Sequence, residues 1–125
     1  MDDRRSTGST GEDLAVELLR NKGYQVLDRN WRSGRRGELD IVAVDPEPSP
    51  EGTLVFCEVK CRRGLGYGDP FEAITYAKLR RLHDRGWDWM RSHDRWSPRH
   101  RVDGVGVLLL PGEPPLLDHR TGLGL

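Results

Sequence analysis

The chain has 125 residues, the length of one ordinary domain with a single hydrophobic core. Its 20 basic and 20 acidic side chains cancel, so a nucleic-acid partner would have to be bound by a local basic patch. No stretch approaches the roughly 20 apolar residues of a membrane span, and the N-terminus lacks the apolar core of a signal peptide, which predicts a cytoplasmic protein with no membrane partner.

The first predicted helix runs from about Ser9 to Lys22. Ser9 and Glu12 have the spacing of a capping box, and Gly23 stands where a C-terminal cap belongs. Glu12 shares the inward side of the apolar stripe of this helix. The expected organisation is a flexible N-terminus over residues 1–8, a single domain over residues 9–119 and a C-terminal tail over residues 120–125.

Three strands are predicted after this helix. They are YQVL running on toward Trp31, then ELDIVAVD, then TLVFCEVKC. Their short connections make them antiparallel neighbours. Asp45 and Thr53 flank the PEPSPEG loop. Asp40 lies five residues before Asp45, and Glu58 lies five residues after Thr53. This register predicts that Asp40 and Glu58 lie near each other at the same end of the strand pair.

The second predicted helix begins at Asp69, with Pro70 at its first position, and runs toward Met90. Gly86 is expected to bend or shorten it. The stretch VDGVGVLLL predicts a fourth strand, and PLLDH would form a short fifth. Because a long helix before the fourth strand permits a parallel crossover, the predicted fold is α/β, with a mixed central sheet flanked by helices.

Charged side chains interrupt two otherwise apolar strands. Since strand side chains alternate between faces, Phe56, Glu58 and Lys60 share one surface, and Asp40 is expected to join them. Close carboxylates repel each other unless a cation joins them, and Mg²⁺ accepts carboxylate oxygens while keeping several waters. The pattern therefore favours metal-assisted phosphodiester hydrolysis. A solvated edge or a simple ion pair is the alternative for the isolated Glu-Val-Lys tripeptide.

Arginines flank both strands, where they are suited to hold the phosphodiester backbone. The predicted nucleic-acid-binding residues are Arg32, Arg35, Arg36, Arg62 and Arg63. Lys78, on the second helix, is interpreted as a surface lysine more readily than as a site residue. Asp103 is interpreted as structural, paired with Arg101 or with a strand neighbour. The tryptophans of the second helix and of the loop after it are suited to stack on bases, although core packing or an oligomer contact is commoner.

The two strands also carry a recognisable signature, GELDIVAVD followed by LVFCEVKCRR. Together they resemble the D…(D/E)xK motif of the restriction-endonuclease-like, or PD-(D/E)xK, nuclease superfamily. More narrowly, the segments GEDLAVELLRNKGYQVLDRNWR, GELDIV, VFCEVKCR and RVDGVGV resemble, in this order, the YraN-like family of small bacterial proteins. The resemblance covers about residues 8–108 and implies a restriction-endonuclease-like core.

The resemblance also implies roles for matching residues. Asp40 and Glu58 would bind the metal together with the backbone carbonyl of Val59. Lys60 would be the catalytic lysine, and Glu12 would help to bind the metal or its waters. The implied cofactor is Mg²⁺ or Mn²⁺, and the implied partner is nucleic acid, with DNA preferred. A homodimer would suit cleavage of two strands.

Three functions remain in view from the sequence. The first is a metal-dependent nuclease acting on DNA, including branched, resolvase-like substrates. The second is a nucleic-acid-binding accessory protein that has the nuclease fold but little or no cleavage activity. The third is an interaction module whose acidic residues form a buried ion-pair network.

Overall fold

The fold is that of a computed structural model, which describes residues 3–34, 37–64, 71 and 74–124, with side chains from Thr10 onward in the first helix. Within these residues, two helices and five strands follow one another in the predicted order. The elements are α1 (Asp3–Asn21), β1 (Gln25–Arg32), β2 (Glu38–Asp45), β3 (Thr53–Arg62), α2 (Tyr76–Ser92), β4 (His100–Leu108) and β5 (Leu116–Arg120). The short fifth strand is thereby confirmed.

The five strands form one mixed sheet in the order β1-β2-β3-β4-β5. Strands β1, β2 and β3 are antiparallel neighbours, β4 runs parallel to β3, and β5 returns antiparallel to β4. The crossover from β3 to β4 contains α2, as a parallel connection requires. The predicted α/β fold with a mixed central sheet is confirmed, and so is the predicted register, because Asp45 pairs with Thr53.

The helices cover opposite faces of this sheet. Buried residues of α1 pack with Ile41, Ala43, Val55 and Cys57, whereas buried residues of α2 pack with the alternate positions, such as Phe56. Since neighbouring side chains on a strand point to opposite faces, each helix has its own side of the sheet. The edge at which β2 begins and β3 ends therefore lies between the two layers.

Helix α1 begins at Asp3 and not at Ser9. The interpretation of Ser9 and Glu12 as a capping box at the helix start is therefore wrong. Extending an established helix adds one hydrogen bond for each residue ordered, and this offsets the preference of Ser9 for a cap. Neither of the described helices is both long and apolar enough to cross a membrane.

Helix α2 begins later than predicted. Asp69 and Pro70 lie outside the described residues, but the helix starts at Tyr76, and Thr75 is its N-cap, accepting a hydrogen bond from the backbone N–H of Lys78 at 3.2 Å. Gly86 does not end the helix, which continues to Ser92. A β-carbon at Gly86 would lie 2.5 Å from the Phe56 ring, so the glycine serves close packing of α2 on the sheet.

A second glycine sets the distance between α1 and β3. A β-carbon at Gly11 would lie 2.8 Å from that of Cys61, which cannot rotate away because it is attached directly to the backbone. We expect Gly11→Ala to lower the free energy of unfolding by about 1–2 kcal/mol, since overpacking outweighs the better helix propensity of alanine. Urea unfolding checks this. Gly64→Ala is the control, because its β-carbon would meet open space, and equal losses in both variants would contradict the packing account.

Candidate functional site

Strands β2 and β3 stop pairing at the two predicted metal-binding acids. Their paired residues end at Ile41 and Cys57, one step before Asp40 and Glu58. Beyond that point the backbone N–H of Val59 donates to Oδ2 of Asp40 at 2.8 Å. The Asp40 carboxylate thus takes the place of a backbone carbonyl and ties the strands together where they separate. Both predicted acids lie at the same edge of the sheet, as the register indicated.

These two acids are held in a poorly hydrated place. Burial, followed by the charge of Glu58, raises the pKa of Asp40 to about 7, although the Val59 N–H opposes the shift. Glu58 is buried too. Two carboxylates that repel each other away from water destabilise the folded chain, and a cation between them would relieve the repulsion.

Two lysines reach Glu58 from different elements. Lys60 Nζ lies 3.2 Å from Oε1 of Glu58, and Lys78 Nζ, from the first turn of α2, lies 3.8 Å from the same oxygen. Burial lowers the pKa of Lys60, but its hydrogen bond with Lys78 and the charge of Glu58 outweigh burial and raise it. The same hydrogen bond, together with burial, lowers the pKa of Lys78.

Lys78 therefore reaches the candidate site and contacts Glu58, whereas the sequence favoured a surface lysine. The sequence contains only three lysines among 20 basic residues, and two of them meet at Glu58. An ammonium group is a compact point charge, whereas a guanidinium group would need a wider, planar space. The choice of lysine at both positions was a signal that the sequence carried.

Glu12 also joins this edge, from α1. Its carboxylate lies 4.0 Å from the guanidinium of Arg29 and is hydrogen-bonded by the side chain of Asn30. Burial raises the pKa of Glu12 in spite of these two partners. The charge of Glu12 in turn raises the pKa of Asp40, so the third predicted acid lies close enough to interact with the first.

Asn30 is a site residue that sequence reasoning left without a role. It lies opposite Asp40, between the pairs Arg29–Ile41 and Trp31–Leu39, and has a φ of 50°. Asparagine is one of the few residues that tolerate this left-handed conformation. Next to it, Leu39 packs with the α2 layer although Ile41, two residues on, packs with the α1 layer, so side chains do not alternate strictly at the start of β2.

The predicted phosphate-binding arginines lie around the same edge where they are described. Arg32 ends β1, and its Nε lies 3.8 Å from a carboxylate oxygen of Glu38. Arg62 ends β3, and Arg63, which is exposed, follows it. Arg35 and Arg36 lie outside the described residues. The edge that carries Asp40 and Glu58, called the acidic edge below, thus has arginines on two sides.

Comparison with known proteins gives a family for this arrangement. Residues 11–107 match the family described as "Uncharacterised protein family UPF0102". The chain belongs to this family. The YraN-like resemblance is confirmed with it, since UPF0102 and YraN-like denote the same group. The matched range runs from the middle of α1 to the penultimate residue of β4, and so includes all the site residues described above.

Several UPF0102 relatives are similar over nearly their whole length. A UPF0102 protein of Renibacterium salmoninarum is 49% identical over 94% of both chains. One from Paenarthrobacter aurescens strain TC1 is 46% identical over 93% of this chain and 91% of its own. A third, from Streptomyces coelicolor, is 42% identical over 98% of this chain and 92% of its own. These names give the family and no activity.

This UPF0102 chain offers few side chains that could bind a metal ion at the acidic edge. Within the part of the chain that the structure describes, no three histidine, cysteine or carboxylate side chains form a group able to hold a metal ion. A cation at the edge would therefore take the Asp40 and Glu58 carboxylates, the Val59 carbonyl and water. Mg²⁺ has this preference for few protein oxygens and several retained waters.

A further acid of the UPF0102 chain, Asp103 on β4, has a structural role. It is fully buried and accepts hydrogen bonds from Arg101 Nε at 2.8 Å and from the Gly122 backbone N–H at 3.0 Å. His119 Nε2 lies 2.9 Å from its other oxygen. The predicted pairing of Asp103 with Arg101 is confirmed. Asp103 belongs to the α1 layer, because it pairs with Cys57 in the sheet.

Proposed function

We propose that this protein is a metal-dependent nuclease that hydrolyses phosphodiester bonds of DNA on a restriction-endonuclease-like core. The convergence of Asp40, Glu58 and Lys60 at the point where β2 and β3 separate carries the proposal. The mixed sheet with one helix layer on each face is compatible with that core. The acids come from two strands and the second lysine comes from a helix, so the fold brings the groups together from distant parts of the chain.

The residues present fit a hard divalent cation. Asp40 uses one oxygen for the Val59 N–H, which orients the carboxylate and leaves its second oxygen for a ligand. When bound, Mg²⁺ would neutralise charge developing on the phosphate and make a water more acidic. Lys60 would orient the attacking water, Glu12 would add acceptor capacity beside Asp40, and the arginines at the strand ends would hold the phosphates on either side.

A nucleic-acid-binding accessory function without cleavage is the second candidate. The observation in its favour is that Glu58 already has two cationic partners, Lys60 and Lys78. An acid already paired with a lysine gains less from a metal ion than an unpaired acid does. The two candidates differ in metal binding and turnover, and both can be measured on the same preparation.

The deciding experiment incubates the purified chain with branched, nicked and single-stranded DNA, in Mg²⁺, Mn²⁺ or EDTA. We expect cleavage that requires the divalent cation. Glu58→Gln should reduce the cleavage rate about 10²–10³-fold, since a metal contributes several kcal/mol of transition-state stabilisation and each ~1.36 kcal/mol is tenfold in rate. Glu51→Gln, the same change in the exposed loop between β2 and β3, should leave the rate unchanged.

Two other outcomes would reject the nuclease. Salt-sensitive DNA binding without cleavage in any metal would establish the accessory function. If the chain bound neither DNA nor Mn²⁺, as measured by calorimetry, the edge carrying Asp40 and Glu58 would be an ion-pair network. Equal rates in Glu58→Gln and in the unaltered chain would show that the measured cleavage does not come from this site.

A further inference from the structure

The outer side of α2 carries aromatic and basic side chains that the proposed cleavage site does not use. The residues recur at helical spacing and continue into the loop after the helix. This aromatic strip consists of Tyr76, Arg80, His83, Trp87 and Trp96. At ~1.5 Å per residue, its helical part from Tyr76 to Trp87 is about 17 Å long.

Three large rings of the strip are exposed. Tyr76 is 75% exposed, Trp87 is 40% exposed and Trp96 is 62% exposed. The Trp87 and Trp96 rings lie 4.7 Å apart between centroids, and His100 contacts Trp87 edge-on at 5.5 Å. Because the rings pack on one another, they are held in place, and the exposed parts of Tyr76, Trp87 and Trp96 remain available to stack on a planar ligand.

Two open grooves meet at Trp87. One, of about 320 Å³, extends toward the start of the helix between Tyr76 and Arg80. The other, of about 450 Å³, is bordered by Trp87, Trp96, Arg95 and Asp94. The strip is therefore a continuous, shallow surface and not a set of separate side chains. A long, narrow ligand fits such a surface better than a compact one.

The charge of this segment differs from that of the chain. Residues 76–99 contain seven lysines and arginines against three aspartates, although the whole chain is neutral. Among the described residues, no carboxylate forms a salt bridge with Arg80, Arg95 or Arg99, all of which are exposed. Guanidinium groups without a carboxylate partner are available to phosphates. This is the local basic patch that a neutral chain needs to bind nucleic acid.

We infer that the aromatic strip binds a single-stranded segment of the nucleic-acid substrate, with bases stacked on Trp87 and Trp96 and phosphates held by the neighbouring arginines. Aromatic faces interleaved with cations are the recurrent way to bind unpaired bases without sequence preference. A duplex keeps its base faces covered and gains nothing from the rings. Tryptophan and arginine also occur at protein interfaces, but the excess of basic over acidic residues in this segment, seven to three, favours a polyanion.

The inference deepens the proposed nuclease function, on which its substrate class depends. Lys78, which contacts Glu58, and Tyr76, which begins the strip, belong to the same turn of α2. A single rigid helix thus carries both the site lysine and the base-stacking surface. The substrate class is DNA with an unpaired extension, such as a flap, an overhang or an open branch.

The test measures binding in EDTA, so that cleavage does not interfere. Fluorescence anisotropy with labelled oligo(dT), oligo(rU) and a blunt hairpin duplex compares the unaltered chain with a Trp87→Ala/Trp96→Ala double variant. We expect at least about tenfold weaker binding of single strands, given the usual contribution of a stacked base, and little change for the duplex. Leu116→Ala, which removes an exposed apolar side chain on β5, is the control and should bind normally.

Two further variants keep the inference open to refutation. Trp87→Phe/Trp96→Phe retains the aromatic faces and should restore most of the binding, with folding checked by circular dichroism. Arg95→Ala should reduce the salt slope of single-strand binding by about 0.7, the value for one phosphate contact. The separate oligo(dT) and oligo(rU) measurements distinguish a DNA from an RNA ligand.

The inference is overturned if the double alanine variant binds single strands normally, if duplex binding falls equally, or if that variant changes the oligomeric state instead. The last result would make the strip a protein-docking surface. Failure of the proposed nuclease is distinguishable from these outcomes. In that case single-strand binding through the tryptophans persists in EDTA, while no metal supports cleavage.

Discussion

Asp40→Asn is expected to abolish metal-dependent cleavage while the chain stays folded. The asparagine amide oxygen can still accept the hydrogen bond from the Val59 N–H, so the tie between β2 and β3 survives. The negative charge that would hold the cation is lost, and the rate should fall about 10³-fold. Single-turnover cleavage of the preferred DNA substrate in Mg²⁺ measures the loss. Asp118→Asn, the same change at an exposed position of β5, is the control.

The same variant should be more stable than the unaltered chain in EDTA at neutral pH. Burial and Glu58 raise the folded-state pKa of Asp40 from 3.8 to about 7. Between those values the native chain binds more protons than the unfolded chain, so its stability falls as pH rises. The asparagine of the variant has no proton to lose, and its stabilising effect should appear between about pH 4 and pH 7 and then level off.

Urea unfolding at about pH 5 and about pH 8 checks whether the stability of Asp40→Asn relative to the unaltered chain increases with pH. Added Mn²⁺ completes the test. A bound cation stabilises the folded state by mass action, by roughly 2.7 kcal/mol at a hundred times the dissociation constant. Mn²⁺ should therefore raise the stability of the unaltered chain and not that of Asp40→Asn. Equal stabilisation of both proteins would place the ion elsewhere.

The sheet and its register followed from short-range features of the sequence. Turn residues fixed the ends of β2 and β3, and counting from the loop between them placed Asp40 opposite Glu58 before any tertiary contact was known. A register slip of one residue would have put Glu58 on the other face of the sheet. The apolar pattern is therefore compatible with only one pairing register. The nearness of these two acids could be predicted for this reason.

Helix limits and two site residues needed tertiary information. Gly86 was expected to bend α2 because glycine weakens isolated helices, yet its missing side chain lets the helix lie against Phe56. Lys78 reaches Glu58 only because Thr75 starts the helix at that position. Asn30, opposite Asp40, has a left-handed backbone conformation that no sequence pattern indicated. Local rules thus failed at the helix limits, which depend on packing, and at the edge carrying Asp40 and Glu58, where the fold accepts charge repulsion and an unusual backbone.

Asp103→Asn is expected to be the most destabilising substitution among those considered. Asp103 is fully buried and hydrogen-bonded by Arg101, His119 and the Gly122 backbone N–H. Removing one partner of a buried ion pair leaves the other uncompensated, at a cost of about 3–5 kcal/mol. Arg101 keeps Asp45 at 2.9 Å, so we expect about 3 kcal/mol, measured by urea unfolding at neutral pH.

The pH dependence separates this ion pair from simple loss of packing. Burial opposes ionisation of Asp103, but its hydrogen bonds from His119, Arg101 and Gly122 prevail and lower its pKa below 3.8. The stability that it contributes is therefore complete above about pH 4 and is lost only as pH falls through the lowered value. The difference in free energy of unfolding between Asp103→Asn and the unaltered chain should stay constant from neutral pH to about pH 5 and narrow in stronger acid.

Asp118→Asn, whose partner Arg120 is on the surface, is the control and should lower the free energy of unfolding by less than about 0.5 kcal/mol at every pH. A gap between Asp103→Asn and the unaltered chain that did not narrow in acid would show that shape, and not charge, accounts for the role of Asp103.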